Sequence, residues 1–364
     1  MSAKSQAAPA WDPRAAAAVV PREVERMIQR QVKGLEYIST DRPDGGQTPK
    51  DVIYRRGTLS LYHYRAQTDE VYRVPVLFIM SLVSRGYILD LAPGQSFVEY
   101  LVKQGFDVYM IDWGVPRPED RHLRIEDYVL DFMPDCIERV LEDSGEDQVS
   151  LLGYCMGGLF SALYGALHTD GPMKNMACLT TPVDFHGMGL HKVWTDPKYF
   201  DVDGIVDRLG NVPPELMLAS FDLLRPVSKM VGQIRLWDNM WNDDFVTAYR
   251  RIDRWSNDQI PFAGEAFRQM VKDLMQQNKL IEGTFELGGR KVDLGNIRAP
   301  LLHVVAQFDH IVPYESAKLL VPLAGSEDKT EECIPGGHVS LVAGRNAITR
   351  LWPRIEAWLS ERSV

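Results

Sequence analysis

A single cysteine lies in a glycine-rich break between an apolar run and a helical pattern. The stretch reads "LLGYCMGG" over residues 151–158, so Gly153 and Gly157 each stand two residues away from Cys155. Glycines at these positions allow the sharp strand-to-helix turn that exposes a nucleophile, although such turns usually carry serine. The helix dipole and the free N–H groups at the start of the helix favour a thiolate. The pattern therefore predicts nucleophilic chemistry at Cys155.

A thiol nucleophile needs a base, and the base needs a group that orients it. Asp309 ends the apolar run "LLHVVAQFD", and His338 lies in the glycine-bracketed stretch "IPGGHVS" after the next predicted strand. Both positions fall at the same edge of the predicted sheet as Cys155. The chain order of nucleophile, acid and histidine is that of the α/β-hydrolase fold. We therefore expect Cys155, Asp309 and His338 to be the catalytic residues.

Each of the two partners also has a plain structural interpretation. On its own, Asp309 is typical of a helix cap and His338 of a turn. Two competitors lie nearby in the predicted layout, since Asp184 follows another strand and His310 is the neighbour of Asp309. We expect Asp184 to have a structural role. We expect His310 to position the catalytic residues without touching the substrate, or only to pack against them.

Acyl transfer through a tetrahedral intermediate requires two N–H donors for the developing oxyanion. One donor belongs to the residue after the nucleophile, which is Met156, and the other to the loop after the apolar strand "PVLFIM". That loop reads "SLVSRG" and lacks the HGGG-type motif of many esterases, so Val83 is the candidate in it. We expect the backbone N–H groups of Met156 and Val83 to form the oxyanion hole.

Strand and helix patterns alternate from residue 57 onward. "TLSLYHYR" alternates like an antiparallel edge strand, whereas "PVLFIM" and "FDVYMI" are continuous apolar runs typical of buried parallel strands. A helical pattern separates these two runs, and further strands and helices follow in the same order. The sequence therefore predicts an α/β protein with a mostly parallel, doubly wound sheet, and the order of the candidate site residues indicates the α/β-hydrolase fold.

The patterns divide the chain into four segments. Residues 186–294 contain no convincing buried strand, many aromatic residues and several helical runs, which predicts a helical cap inserted into the fold. The α/β-hydrolase core then comprises residues 57–185 and 295–364, and residues 1–56 form an N-terminal helical arm and linker. We expect the arm to pack on its own domain, with a partner as the alternative, through an amphipathic stripe of Val24, Met27, Ile28, Val32 and Leu35.

Composition excludes several classes of function. The 364 residues carry a net charge of −10 without a basic block, which argues against a nucleic-acid partner. No apolar stretch approaches the roughly 18 residues of a membrane span, and no signal peptide is recognisable, so we expect a cytoplasmic protein. No CxxC pair is present, and we expect no metal and no disulfide framework from the four cysteines Cys136, Cys155, Cys178 and Cys333.

Five stretches of the sequence together resemble the polyhydroxyalkanoate synthases. They are "GYCMGG" at the predicted strand-to-helix turn, "VSRGYILDL", "YMIDWG", "AQFDHIVP" and "GGHVSLVAG". The resemblance covers nearly the whole chain from residue 57 and implies that Cys155, Asp309 and His338 are the catalytic residues. The chain is similar to the short catalytic subunit of the two-component synthases (class III or class IV). Two positions depart from the family, since Ser84 stands where asparagine is common and Met156 where the two-component types frequently have glutamine.

The resemblance implies a substrate and partners. The substrate would be a short-chain (R)-3-hydroxyacyl-CoA, with CoA as a leaving group and no cofactor. The partners would be a growing polyester chain, the surface of a polyester granule in the cytoplasm and a second, non-catalytic subunit; a homodimer is also compatible. Arg85 and Arg345 are conceivable contacts for the CoA phosphates, but we expect both to be solvated surface charges.

The nucleophile type favours chain growth over hydrolysis. A cysteine that accepts an acyl group from a thioester keeps it activated as a thioester, so a hydroxyl group can then attack in a downhill step. The nearest alternative is a thioesterase or polyester depolymerase with the same fold. An alternative of another class is a non-catalytic scaffold associated with granules.

Overall fold

The computed structural model describes residues 13–39 and 44–363, and side chains from residue 22 onward. These residues fall into two compact units. The first unit contains the chain up to residue 43 together with residues 226–251, and the second contains residues 44–225 and 252–364. The segment 186–294, predicted as one cap insertion, therefore contributes to both units.

The second unit is built on an eight-stranded sheet in the order β1-β2-β4-β3-β5-β6-β9-β10. Strands β7 and β8 form a separate two-stranded hairpin. In chain order the strands are β1 (Lys50–Arg56), β2 (Leu59–Tyr64), β3 (Val76–Ile79), β4 (Val108–Asp112), β5 (Val149–Tyr154), β6 (Met173–Leu179), β7 (Glu286–Leu287), β8 (Arg290–Lys291), β9 (Leu301–Ala306) and β10 (Lys329–Ile334).

Helices separate the parallel strands, and most of the remaining helices lie between β6 and β9. They are α1 (Pro13–Ser39), α2 (Phe97–Lys103), α3 (Ile125–Asp127), α4 (Met133–Ser144), α5 (Met156–Leu167), α6 (Leu190–Trp194), α7 (Val202–Leu209), α8 (Pro214–Leu224), α9 (Ser228–Asp238), α10 (Asp243–Asn257), α11 (Gly264–Gln269), α12 (Tyr314–Ala317), α13 (Leu320–Leu323) and α14 (Trp352–Ser360).

The six strands from β3 onward in the main sheet are parallel to one another, as the continuous apolar runs predict, and β2 pairs antiparallel with β4. Strand β5 lies near the middle of the sheet and is buried along its whole length. All twelve residues of α5, which follows it, are buried as well. A strand and a helix that are both surrounded by apolar neighbours form a rigid base for whatever lies at their junction.

The two faces of the sheet carry separate apolar clusters, because successive side chains of a strand point to opposite faces. Leu77 belongs to the cluster that contains Phe160 and Leu163 of α5. Its neighbour Phe78 belongs to the other cluster, in which Trp352 of α14 is also buried. Helices thus cover both faces, and the predicted α/β architecture is confirmed.

The antiparallel edge differs from the prediction. The interpretation of residues 59–64 as the edge strand is wrong, because β1 pairs antiparallel along their outer side, from Lys50 opposite Tyr64 to Arg56 opposite Leu59. Residues 50–56 fall in the predicted N-terminal linker, and their stretch "KDVIYRR" has four charges in seven residues. An edge strand tolerates such charges, since much of it faces water.

In the first unit, polar contacts join α1 to residues 226–251. The Arg26 guanidinium lies 4.6 Å from the centre of the Trp241 ring, and Lys33 forms an ion pair with Asp243 at 2.9 Å. The five side chains of the apolar stripe, from Val24 to Leu35, are each at least 46% exposed, and the surface that the stripe packs against stays a prediction. Charged residues of α1, rather than the stripe, make these contacts.

The junction of β5 and α5 turns at Cys155, whose φ of 56° and ψ of −117° lie outside the usual regions for residues with a side chain. Three glycines allow this turn. A Cβ atom on Gly157 would overlap the carbonyl oxygen of Ile79 in β3, and one on Gly158 would overlap the hydroxyl of Thr181. A Cβ atom on Gly153 would overlap the backbone of α5 itself. The sheet and helix can approach closely only without side chains at these positions.

Asn278 connects the segment after α11 to the chain that follows β6. Its side-chain oxygen accepts a hydrogen bond from the Phe185 N–H at 2.9 Å, and its amide nitrogen donates to the Asp184 carboxylate at 2.9 Å. Asn278 is buried and has a φ of 49°, which asparagine tolerates better than most residues. Asp184 also accepts a hydrogen bond from the His186 N–H. These contacts give Asp184 the structural role expected from the sequence.

We expect Gly157→Ala to lower the free energy of unfolding by about 3 kcal/mol or more, because the added methyl group meets the backbone of β3, which cannot move without disturbing the sheet. Gly165→Ala in the same helix is the matched control. There the methyl group meets the mobile end of the Met173 side chain and α5 gains helix propensity, so the change should stay within about 1 kcal/mol. Urea unfolding of both variants measures the difference, and equal stabilities would contradict this account of the junction.

We expect Asn278→Ala to destabilise the protein by about 2 to 4 kcal/mol, since it removes two buried hydrogen bonds and places alanine at a positive φ. Asn278→Gly removes the same hydrogen bonds but tolerates the backbone conformation, so it should be more stable than Asn278→Ala and less stable than the wild type. Thermal unfolding checks this order. Wild-type stability in Asn278→Gly would show that the hydrogen bonds contribute nothing.

Candidate active site

Three side chains predicted from the sequence meet at the carboxyl edge of the parallel sheet. Cys155 follows β5, Asp309 follows β9 and His338 follows β10. The Nδ1 atom of His338 lies 2.7 Å from Oδ2 of Asp309, and the imidazole is close enough to Cys155 for the two groups to interact electrostatically. The side chains of His338 and Asp309 are only 6% and 1% exposed. The structure thus brings the three residues together in the order thiol, imidazole, carboxylate.

Asp309 is held in place as an ion. Its Oδ1 atom accepts hydrogen bonds from the N–H groups of Ile311 and Val312, both at 2.9 Å. Burial alone would raise the pKa of Asp309, but the charge and hydrogen bond of His338 and these two N–H groups lower it below its ordinary value. An ionised carboxylate only accepts hydrogen bonds, so the Nδ1 atom of His338 carries a proton and Nε2 is left for the thiol.

His338 is a strong proton acceptor in this setting. Burial alone would lower its pKa, but the charges of Asp309 and Cys155 and the hydrogen bond to Asp309 raise the pKa to about 10. The ring also lies against Tyr154, with the ring centres 5.1 Å apart. At neutral pH the imidazole therefore holds a proton, and its positive charge stabilises negative charge on the adjacent sulfur.

The two residues expected to form the oxyanion hole belong to the same apolar cluster. Met156 is the first residue of α5, so its N–H has no acceptor within the helix. Val83 lies in the loop after β3, and its carbonyl oxygen accepts a hydrogen bond from the Ile260 N–H at 3.3 Å. Both are buried in the cluster that contains Phe160. Their action as oxyanion donors remains a prediction.

His310 is half-buried beside the catalytic candidates. Burial, and then the positive charge of Arg225, lower the pKa of His310, so the ring is neutral at neutral pH. Its Nδ1 atom is buried and has no hydrogen-bond partner among the described residues. The supporting role expected for His310 remains a prediction. Arg345 is exposed, as expected for a surface charge, whereas Arg85 is half-buried and its Nε atom lies 3.5 Å from Oδ1 of Asp258.

Thr180, which the sequence analysis did not select, also contacts the imidazole. Its hydroxyl oxygen lies 2.8 Å from Nδ1 of His338. Thr180 directly follows β6, the strand beside β5, so its position at the same sheet edge was the one signal that could have revealed it. Threonines are common at strand ends, and that signal alone does not select a residue.

No cluster of His, Cys, Asp and Glu in the described part of the chain has the arrangement of a metal site. The four cysteines are free. Among residues 13–39 and 44–363, no helix is long and apolar enough to cross a membrane.

Solved structures share the fold at low sequence identity. A soluble variant of monoglyceride lipase from Saccharomyces cerevisiae superposes with a TM-score of 0.55 at 14% identity, and the match covers 89% of this chain and all of the lipase. A Sulfolobus solfataricus protein, provisionally named a lipase, gives a TM-score of 0.55 at 15% identity, and the match covers 86% of this chain and 99% of that protein. These likenesses establish the fold, and residues 85–344 match the family described as "alpha/beta hydrolase fold".

Other relatives are more similar in sequence. The "Poly(3-hydroxyalkanoate) polymerase subunit PhaC" of Thiocystis violacea is 37% identical over 336 residues, which are 91% of this chain and 94% of that protein. The protein of the same name from Haloferax mediterranei is 39% identical over 322 residues, or 87% of this chain and 65% of that longer protein. Residues 44–101 also match the "Poly-beta-hydroxybutyrate polymerase (PhaC) N-terminus". The chain belongs to the PhaC family of poly(3-hydroxyalkanoate) polymerase subunits.

Proposed function

We propose that this chain is a polyester synthase that transfers acyl groups from (R)-3-hydroxyacyl-CoA to a growing chain through a thioester on Cys155. The observation that carries the proposal is a cysteine at the turn between β5 and α5 that interacts electrostatically with the imidazole of the buried, hydrogen-bonded His338–Asp309 pair. The names of the relatives support the same reaction class.

The first half-reaction loads the enzyme. The Cys155 thiolate attacks the thioester carbonyl of the substrate, and the N–H groups of Met156 and Val83 stabilise the oxyanion. The bond to the CoA sulfur breaks, and the leaving CoA thiolate takes the proton from Nε2 of His338. The acyl group remains on Cys155 as a thioester, and Asp309 fixes the orientation of the imidazole throughout.

The second half-reaction extends the polymer. The 3-hydroxyl group of a second acyl unit attacks the Cys155 thioester, and His338 accepts the hydroxyl proton. A carbon–oxygen ester bond forms while the carbon–sulfur bond breaks, which regenerates the thiolate. Because loading exchanges one thioester for another, it costs little free energy, and the later conversion to an ester is downhill. A serine in place of Cys155 would form the stable ester one step too early.

Chain growth requires that water is kept from the acyl-enzyme. The nearly complete burial of His338 and Asp309 supports this requirement, since neither side chain can activate bulk water directly. We assign the same task to the helical segment between β6 and β9, which must open to admit acyl-CoA and release polymer.

The relatives are named subunits, and on that basis we propose that a second, non-catalytic subunit works with this chain. We further propose short-chain substrates, such as (R)-3-hydroxybutyryl-CoA, and association with polyester granules. The competing function is a thioesterase or polyester depolymerase, favoured by the lipase structures that share the fold. A non-catalytic granule scaffold is the third alternative.

The product distinguishes these functions. After incubation with (R)-3-hydroxybutyryl-CoA, alone and with the partner subunit, the proposal predicts CoA release together with insoluble polyester. Free 3-hydroxybutyrate as the sole product would establish a hydrolase instead. Intact substrate in both incubations would leave the scaffold as the interpretation.

We expect Cys155→Ala to lower the rate of CoA release by about 10⁴-fold or more without loss of folding, because the variant lacks the atom that carries the acyl group. Cys333→Ala is the matched control, since Cys333 is an exposed cysteine on the edge strand β10 and should be dispensable. CoA release followed with a thiol reagent measures both. Normal turnover in Cys155→Ala would remove the proposed nucleophile.

A further inference from the structure

The Nδ1 atom of His338 has two hydrogen-bond partners. One is Oδ2 of Asp309 at 2.7 Å, and the other is the hydroxyl oxygen of Thr180 at 2.8 Å. Thr180 is 1% exposed, so water does not compete for its hydroxyl. The two acceptors belong to different parts of the fold, because Asp309 lies in the loop after β9 and Thr180 lies at the end of β6.

Thr180 adopts an uncommon backbone conformation to make this contact. Its φ is 46°, in the left-handed region that β-branched residues strongly avoid. The Thr180 N–H donates to the carbonyl oxygen of Val304 at 2.7 Å, which fixes the strained residue to the neighbouring strand β9. A strained residue that is tied down by its surroundings and lies beside reacting groups is a candidate for a functional role.

The turn at Thr180 changes which side chain faces the active site. Regular alternation along β6 would place Thr180 on the face of Cys178, whose thiol points to the carbonyl oxygen of Gly158. The next residue, Thr181, instead packs against Gly158 of α5. Thr180 is thereby free to reach His338. The preceding residue, Leu179, accepts a hydrogen bond from the Cys155 N–H at 2.9 Å, so this strand end contacts both the nucleophile and the base.

We propose that Thr180 is a positioning residue, whose hydroxyl accepts a second hydrogen bond from Nδ1–H of His338 and holds Nε2 in line with the Cys155 sulfur. The inference rests on the proposed acyl transfer. Asp309 alone fixes one direction of the ring, and a second acceptor restricts its rotation about that bond. Because a hydrogen bond to a charged donor is stronger than one to a neutral donor, the hydroxyl also favours the imidazolium that forms when the thiol loses its proton.

The test compares Thr180→Val, which keeps the shape and removes the hydroxyl, with Thr180→Ser, which keeps the hydroxyl. In Thr180→Val we expect kcat for CoA release from (R)-3-hydroxybutyryl-CoA to fall about 10-fold or more, with KM within about twofold. Thr180→Ser should stay within about threefold of the wild type. A purely structural role would predict that the valine variant, which preserves packing, is the better of the two.

A second readout does not depend on the substrate. Iodoacetamide alkylation of Cys155 as a function of pH, measured by mass spectrometry on the peptide that contains it, reports the pairing of thiolate and imidazolium. Five titratable groups form or surround this pair. They are Cys155, His338, Asp309, His310 and the phenol of Tyr154, which lies against the imidazole ring. We expect the half-maximal pH to rise by about one unit in Thr180→Val and to stay unchanged in Thr180→Ser.

The two readouts separate this inference from the proposed function. Wild-type values of kcat and of the alkylation profile in Thr180→Val would overturn the positioning role, as would an equal loss in Thr180→Ser. If Thr180→Val does not fold, Thr180→Ala removes the same hydroxyl in a smaller side chain, and the same criteria apply. Absence of CoA release from the wild type would defeat the acyl-transfer proposal, while the alkylation comparison would still decide the role of Thr180.

Discussion

The site depends on the close approach of α5 to the ends of β3 and β6. The chain reverses at Cys155 through a backbone conformation that few side chains adopt, and the start of α5 lies so near the sheet that a single methyl group on Gly157 would overlap the backbone of β3. This contact places the thiol at the helix N-terminus and at the carboxyl edge of the parallel strands at once. Because all of β5 and α5 are buried, the helix cannot move to relieve the strained backbone conformation of Cys155.

Charge balance is the second constraint, and it follows from the first. A thiol placed at this buried edge can react only if a base lies beside it, and a buried base can hold a proton only if a carboxylate compensates its charge. Asp309 provides that charge and is itself held by two backbone N–H groups of the loop after β9. Each charged group therefore has a fixed partner, and removal of any one would leave another uncompensated in a region with little water.

The sequence alone was informative where local pattern determines structure. The glycines around Cys155, the continuous apolar strands and the positions of Asp309 and His338 after successive strands are all local features, and the parallel sheet agrees with them. Strand β1 was missed because its charged residues leave no regular alternation of apolar and polar side chains, which an edge strand does not require. The exposed stripe on α1 shows that an amphipathic pattern identifies a helix without identifying what covers it.

Thr180 marks the limit of such reasoning. Its contact joins residues 158 positions apart, and its left-handed backbone is imposed by the neighbouring strand and leaves no mark in the local sequence. The roles of Cys155, Asp309 and His338 could be predicted because each side chain directly follows a strand with a distinctive pattern, whereas the contact of Thr180 required the structure.

The central claim is that acyl groups pass through Cys155 as a thioester. Mass spectrometry of the protein, quenched in acid shortly after mixing with (R)-3-hydroxybutyryl-CoA, tests it most directly. The account predicts an acyl adduct on the peptide that contains Cys155, removed by neutral hydroxylamine as thioesters are. An adduct on another residue, an adduct that resists hydroxylamine, or CoA release without any adduct at any quench time would contradict it.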